Sequence, residues 1–329
     1  MIISKSQFEE PWWCCGAHAQ TIAGALLRKK FKHGLKVERL ETPDGDFLDL
    51  DYMTDPDAPV DHDTPLIVIL HGLEGSSKSP YVQTLLSEIH RRRWAAVAVN
   101  MRMCSGEPNR LIQTYHSGKS EDLELIIQHL TKRYRPENLY LVGYSMGGNI
   151  LLKWLGEQQD RASQRVNKAA AISVPYDLTR AVQMIDKEGF NREIYARNLL
   201  STLKKKVAYK KNVFPEAIRY EKVAHCRTFS VFDREVTAPL NGFRDEFEYW
   251  SKSSSAGFLK EIKLSTLLIH SEDDPFFPEH FLPLDDIHTS NYLQALIVPK
   301  GGHLGFIKAA WPWKLEPWLE QNILNFFEK

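Results

Sequence analysis

The sequence predicts an α/β protein: a mostly parallel, doubly wound sheet carrying an inserted helical cap. Short, nearly continuous apolar runs at 66–70, 95–99, 139–142, 169–174, 266–269 and 293–298 have the length and character of strands buried on both faces. Helical periodicity fills the gaps at 81–93, 117–134, 147–158 and, last, 312–328. Strands alternating with helices wind a parallel sheet. The alternation breaks once, between Val174 and Thr266, where roughly 90 residues intervene, far more than a normal connection.

Taken in order, residues 1–35 lie outside the strand pattern and are expected to pack on the core as an N-terminal extension. Two runs, 37–41 and 47–53, flank the turn Pro43-Asp44-Gly45-Asp46 and read as an antiparallel pair opening the sheet. The core is expected over 36–175 and 264–329. The long interval, 176–263, carries helical periodicity at 178–184, 192–206, 215–223 and 243–251, and so reads as the cap. Its apolar residues, Ile185, Leu199, Phe214 and Phe243 among them, would roof a site beneath it. A length of 329 residues then describes one elaborated domain.

Composition narrows the function classes. Forty-two basic and 42 acidic side chains give zero formal net charge, so no global field favours nucleic acid. The stretch from Met1 to Glu10 has no apolar signal region, and no apolar run has membrane-spanning length. Cys14, Cys15, Cys104 and Cys226 have no metal-ligand spacing. A reduced, cytoplasmic protein without stable membrane insertion is expected. Trp12-Trp13, Ile22, Leu26, Leu27 and Arg28-Lys29-Lys30 permit peripheral membrane contact, but the simpler expectation is that the aromatics pack on the domain and the basic residues are solvated. The sequence leaves the oligomeric state open.

Gly143-Tyr144-Ser145-Met146-Gly147-Gly148-Asn149 follows a strand and precedes a helix, the context of a nucleophile elbow. So sharp a turn crowds the positions two before and two after the serine, which explains Gly143 and Gly147. A serine hydroxyl needs an imidazole to take its proton and a carboxylate to orient that imidazole. His303, in Gly301-Gly302-His303-Leu304-Gly305, is the base that the flanking glycines favour among 12 histidines. The acid lies in Asp273-Asp274-Pro275-Phe276-Phe277-Pro278. Only one of the two aspartates can face His303, and the proline four residues on favours Asp274, leaving Asp273 to face solvent or cap a turn. The oxyanion donors are expected to be the backbone N–H groups of Met146 and, in His71-Gly72-Leu73-Glu74-Gly75, of Leu73. His71, Gly72, Gly143 and Gly147 shape these loops. A rival reading of 72–79 as a phosphate loop fails on Ser77, which stands where that pattern needs glycine. His270 reads as structural, as does Cys104.

These motifs, with His18-Ala19-Gln20-Thr21 and Asn100-Met101-Arg102, resemble the α/β-hydrolase fold family and, within it, the YheT-like esterase branch of the AB hydrolase 4 type. The resemblance covers nearly the whole chain. It implies that Ser145, Asp274 and His303 form the charge relay. Two departures, Gly16-Ala17 where relatives have Asn-Pro and Met103 where they have glycine, lie away from those three. What the resemblance implies about substrates is broad: acylglycerols, phospholipids or small esters. The expectation is a serine hydrolase of short- to medium-chain or lipid-derived carboxylic esters, using no metal or organic cofactor. A thioesterase or acyltransferase with the same three residues, or a non-catalytic binding protein, are the alternatives.

Overall fold

The computed structural model describes residues 2–5, 8–54, 61–218 and 220–329. Residues 1, 6 and 7 of the expected N-terminal extension, and 219 of the expected cap, lie outside the described residues. Among the described residues nine strands form one sheet: β1 (Ile2–Lys5), β2 (Lys36–Glu41), β3 (Phe47–Tyr52), β4 (Leu66–Leu70), β5 (Ala95–Asn100), β6 (Leu139–Tyr144), β7 (Lys168–Ile172), β8 (Thr266–Ser271) and β9 (Leu293–Val298). Their spatial order is β1-β9-β8-β7-β6-β4-β5-β3-β2. Only the β2–β3 and β3–β5 pairings are antiparallel. From β4 the chain winds first toward β5, then returns to build β6 to β9 on the other side. The loops after β4 and β6 therefore diverge at a topological switch point, where open α/β sheets leave a crevice for ligands.

Burial on both faces explains why the strands read as unbroken apolar runs. Val68, Leu70, Val97, Val99, Leu139 and Leu141 join one core cluster, while Ile67, Ile69, Ala96, Ala98, Tyr140 and Val142 join another, as the two-residue side-chain period requires. Helices α1 (Ala17–Leu26), α2 (Pro80–Arg91), α3 (Ser120–Tyr134) and α4 (Met146–Gln158) precede the long interval. That interval contains α5 (Leu178–Ile185), α6 (Arg197–Val213) and α7 (Glu246–Ser253), with short helical turns between them. Asp177 and Asp245 cap α5 and α7 by accepting the N–H groups of Arg180 and Glu248. The last helix is α8 (Trp318–Glu328).

Three elements differ from expectation. Ile2–Lys5 is not outside the sheet but pairs in parallel with β9 as an edge strand. Four residues are too few to show periodicity. The last helix begins at Trp318 rather than 312, because Lys308 and Glu316 form a bridge that keeps the intervening tryptophan-rich segment as a loop. Arg28 is not solvated: its side chain is 4% exposed and pairs at 2.7 Å with Glu320 of α8, itself 2% exposed.

Burial pushes the Glu320 carboxyl above its ordinary range, with Arg28 opposing that shift. A buried pair of this kind costs most when one partner is removed. We expect Arg28→Ala to lower stability by about 3 kcal/mol or more in urea unfolding, and the joint Arg28→Met, Glu320→Leu exchange to recover most of that loss. A single-variant cost under about 1 kcal/mol, the range of exposed pairs, would show that this pair does not behave as a buried one.

Candidate active site

Between the last residue of β6 and the first of α4 stands one residue, Ser145, with φ 51° and ψ −118°. Few L residues adopt that conformation, and it persists where the surroundings over-determine it. Here they do. A Cβ on Gly143 would lie 2.6 Å from the carbonyl oxygen of Gly147, and one on Gly147 would lie 2.5 Å from that of His71. The turn closes only with glycine at both positions, and the N–H of Ser145 is tied to the Ile172 carbonyl on β7 at 2.8 Å.

The structure brings Ser145, His303 and Asp274 together in a line. His303 Nε2 lies 3.0 Å from Ser145 Oγ, and His303 Nδ1 lies 2.8 Å from Asp274 Oδ2. An ionised carboxylate can only accept, so Nδ1 carries the ring proton and Nε2 is left to accept from the serine hydroxyl. Asp274 is 4% exposed and His303 8%. Asp274 Oδ1 takes the N–H of Phe276, which turns the loop back on itself. The Phe276 ring then stacks on the imidazole at 4.0 Å and 8° between planes, and Phe277 meets it edge-on.

The loop carrying His303 joins no strand ladder among the described residues, so side chains satisfy much of its backbone. Thr21 Oγ1 accepts the N–H of His303 at 2.9 Å. Gln20 accepts the N–H of Ile307 at 2.7 Å and donates to the carbonyls of Ile307 and Cys14. Arg28 donates to the Gly305 carbonyl, Ser271 to that of Gly302. Asp273, expected to face solvent or cap a turn, instead accepts the N–H of Gly302 at 3.0 Å across the loop. Helix α1 can approach this closely because Gly24 faces Gly305; a Cβ on Gly24 would lie 2.9 Å from the Gly305 Cα. Gln20, Thr21 and Arg28 appeared in the sequence only as parts of motifs or a basic run.

After β4, His71 is wholly buried. Its Nδ1 lies 2.7 Å from the Gly72 carbonyl and its Nε2 accepts the N–H of Met101 at 3.2 Å. Burial lowers its pKa to about 4, so it stays neutral and holds the turn as a two-ended brace. Tyr81 takes the N–H of Gly72, and Tyr115 that of Glu74. The N–H of Leu73 between them, like that of Met146 at the start of α4, has no protein acceptor among the described residues. Ser77, the residue that breaks the phosphate-loop pattern, is buried and donates to Asp51. His270 is buried behind the loop, its pKa lowered to about 4 by desolvation.

Ser145, Leu73, Met146 and His303 line a cavity of about 480 Å³. Most of its wall is apolar, from α1 (Ile22, Ala25, Leu26) and from the β7–β8 interval (Leu178, Val182, Ile185, Leu199, Leu203, Phe229). Of the four residues expected to roof the site, Ile185 and Leu199 line it. Phe214 lies beside Lys210, and Phe243 sits behind the wall against His116 and Tyr249. Leu26 and Ile194 mark the open side, 74% and 45% exposed. Trp13 packs beside Ile307, but Trp12, expected to pack on the domain, is 72% exposed and touches Trp311 edge-on. No helix among the described residues is long and apolar enough to cross a membrane.

Residues 65–310 match the α/β hydrolase fold family. YheT of Escherichia coli (strain K12) is 35% identical over 310 residues, covering 93% of this chain and 88% of that protein. Phospholipase ABHD3 of Mus musculus is 27% identical, covering 91% and 73%. Among solved structures, an esterase of Pyrococcus furiosus superposes with a TM-score of 0.56 at 14% identity, covering 99% of this chain and 97% of that one, a likeness of fold. The chain belongs to the α/β-hydrolase family.

If α1 braces the His303 loop, Thr21→Val leaves the His303 N–H buried without an acceptor and costs about 1–3 kcal/mol. Thr21→Ser, which keeps the oxygen, costs less than half as much. Equal losses in thermal or urea unfolding would mean that the methyl group, not the hydrogen bond, matters there.

Proposed function

We propose that this α/β-hydrolase cleaves carboxylic esters through a covalent acyl-enzyme on Ser145. The observation that carries the reading is the continuous hydrogen-bonded line from Ser145 Oγ through His303 to Asp274, opening into an apolar cavity beside two unpaired N–H groups. In the first step His303 Nε2 takes the serine proton as Oγ bonds to the acyl carbon, and the carbonyl π electrons move onto oxygen. Leu73 and Met146 donate to that oxyanion, where preorganised donors are worth about 3–4 kcal/mol each. Collapse of the adduct breaks the bond to the alcohol oxygen, which leaves with the proton from His303. Water repeats the cycle, releasing the acid and restoring Ser145. Asp274 stabilises the imidazolium in both halves without accepting its proton.

The helices between β7 and β8 act in this reading as a cap that selects the acyl chain by burial. Relatives with phospholipase and esterase names fit a substrate with an apolar acyl part. Phe276, stacked on His303, limits the ring to one plane and is a positioning residue for the base.

A fluorophosphonate probe is expected to label Ser145 alone, with labelling abolished in Ser145→Ala and sharply reduced in His303→Ala. Peptide mass data placing the adduct on another residue would refute the assignment. Asp274→Asn is expected to lower kcat by about three to four orders of magnitude. Asp273→Asn is expected to be mild, since an amide oxygen still accepts the Gly302 N–H. The reverse ranking would exchange their roles. Across a series of straight-chain esters, each added methylene is worth about 0.8 kcal/mol when buried, so kcat/KM should climb several-fold per carbon and then fall once the cavity is full. Indifference to acyl length would rule out the cap as the selecting element.

A further inference from the structure

One stretch of the cavity wall departs from its apolar character. Thr114, His116, Ser117, Asp233, Thr237 and Tyr249 all reach the cavity. They fall into two hydrogen-bonded groups, one around Asp233 and one around Tyr249, that adjoin where Tyr249 precedes Trp250 in the chain. Thr237 Oγ1 donates to Asp233 Oδ1 at 2.7 Å, and Trp250 Nε1 donates to Oδ2 at 2.8 Å. Asn241 bonds both Thr114 Oγ1 and the Thr237 carbonyl, while the Tyr249 hydroxyl meets Ser117 Oγ at 3.0 Å. The patch begins close to the nucleophile: the Ser117 carbonyl takes the side-chain amide of Asn149, one helical turn beyond Ser145 on α4.

A carboxylate in such a wall is costly unless it is both paired and hydrogen-bonded. Asp233 is 6% exposed, and no cation pairs with it among the described residues; neighbouring Arg234 faces Glu235 and Glu246 instead. Two donors leave part of its acceptor capacity free, since a carboxylate offers about four lone-pair sites. Desolvation pushes its pKa to about 7, against the pull of the Trp250 and Thr237 hydrogen bonds, so near neutrality it can donate as well as accept. An alcohol hydroxyl, which also donates and accepts, complements such a group. A phosphate does not: Asp233 and Glu246 are acidic, and Lys206, the ammonium that lines the cavity, is already paired with Glu74 at 2.6 Å.

Resting on the ester-hydrolase reading, we propose that the wall around Asp233, Thr237, Ser117 and Tyr249 is a subsite for the free hydroxyl groups of a neutral polyol, the alcohol half of the ester. The apolar remainder of the cavity then takes the acyl chain. The subsite sets specificity for uncharged polyol esters over both simple alkyl esters and phosphorylated ones.

The test compares kcat/KM of the full-length protein on 1-monobutyrylglycerol, propyl butyrate and 1-butyrylglycerol 3-phosphate, which share an acyl group. The wild type is expected to favour the glycerol ester over the propyl ester by about tenfold or more, the scale of one or two buried hydrogen bonds, with the phosphorylated ester poorest. Asp233→Leu is expected to cut the glycerol-to-propyl ratio about tenfold, and Asp233→Asn, which still hydrogen-bonds, to cut it less. Thr237→Val, nearly isosteric, should lower the same ratio several-fold and serves if Asp233→Leu does not fold. A wild-type ratio near one, a ratio unmoved in the folded variants, or a preference for the phosphorylated ester would overturn the subsite. Those outcomes differ from failure of the underlying reading, in which the wild type would cleave none of the three esters and Ser145 would not take a fluorophosphonate.

Discussion

The arrangement depends on how a loop that joins no strand ladder among the described residues is held still. Residues 301–307 present an imidazole to Ser145, yet their backbone groups have no ladder to join. Unpaired, each buried group would cost about 1–3 kcal/mol. Instead Thr21, Gln20, Arg28, Ser173, Ser271 and Asp273 supply hydrogen bonds to successive loop positions. Three of these six come from α1 or the residues just after it. The N-terminal segment is thus part of what positions His303, although it contributes no reacting atom.

A second constraint acts from the opposite side of the cavity. The sheet reverses its winding at β4, and the loops after β4 and β6 part at that point. One gap then receives both the turn braced by His71 and the strained Ser145. Leu73 and Met146, whose N–H groups have no protein acceptor among the described residues, line the same cavity as Ser145. The strain at φ 51° is sustained by contacts that a larger residue at 143 or 147 would forbid. Rigid strands, a forced turn and a clamped loop together leave little freedom to the three side chains.

Much of this was legible in the sequence because it is local. Six doubly buried strands announce themselves as apolar runs, and the elbow requires its serine and glycines within five residues. Ser145 and His303 stood out for the same reason, each set in its own glycine frame. Asp274 was separable from Asp273 only by a proline spacing. The parts that were not legible are made by contacts across the chain. Thr21 meets His303, and Gln20 meets Ile307, more than 280 residues away, so neither has a local pattern to betray it. Asp273 was expected to face solvent or cap a turn; its actual partner is the backbone N–H of Gly302, which no side-chain spacing encodes. Arg28 looked like one of three surface cations; burial of its partner Glu320 on the last helix made it otherwise. Edge strand β1 is too short for periodicity to register.

Rapid acid quench of the full-length protein mixed with an activated butyryl ester, followed by peptide mass analysis, tests the central claim most directly. A butyryl group should appear on the peptide containing Ser145 during the first turnover and disappear as the ester is exhausted, and Thr21→Val should slow its appearance. Steady hydrolysis with no butyryl peptide at any time, or with the group on a different residue, would contradict the account.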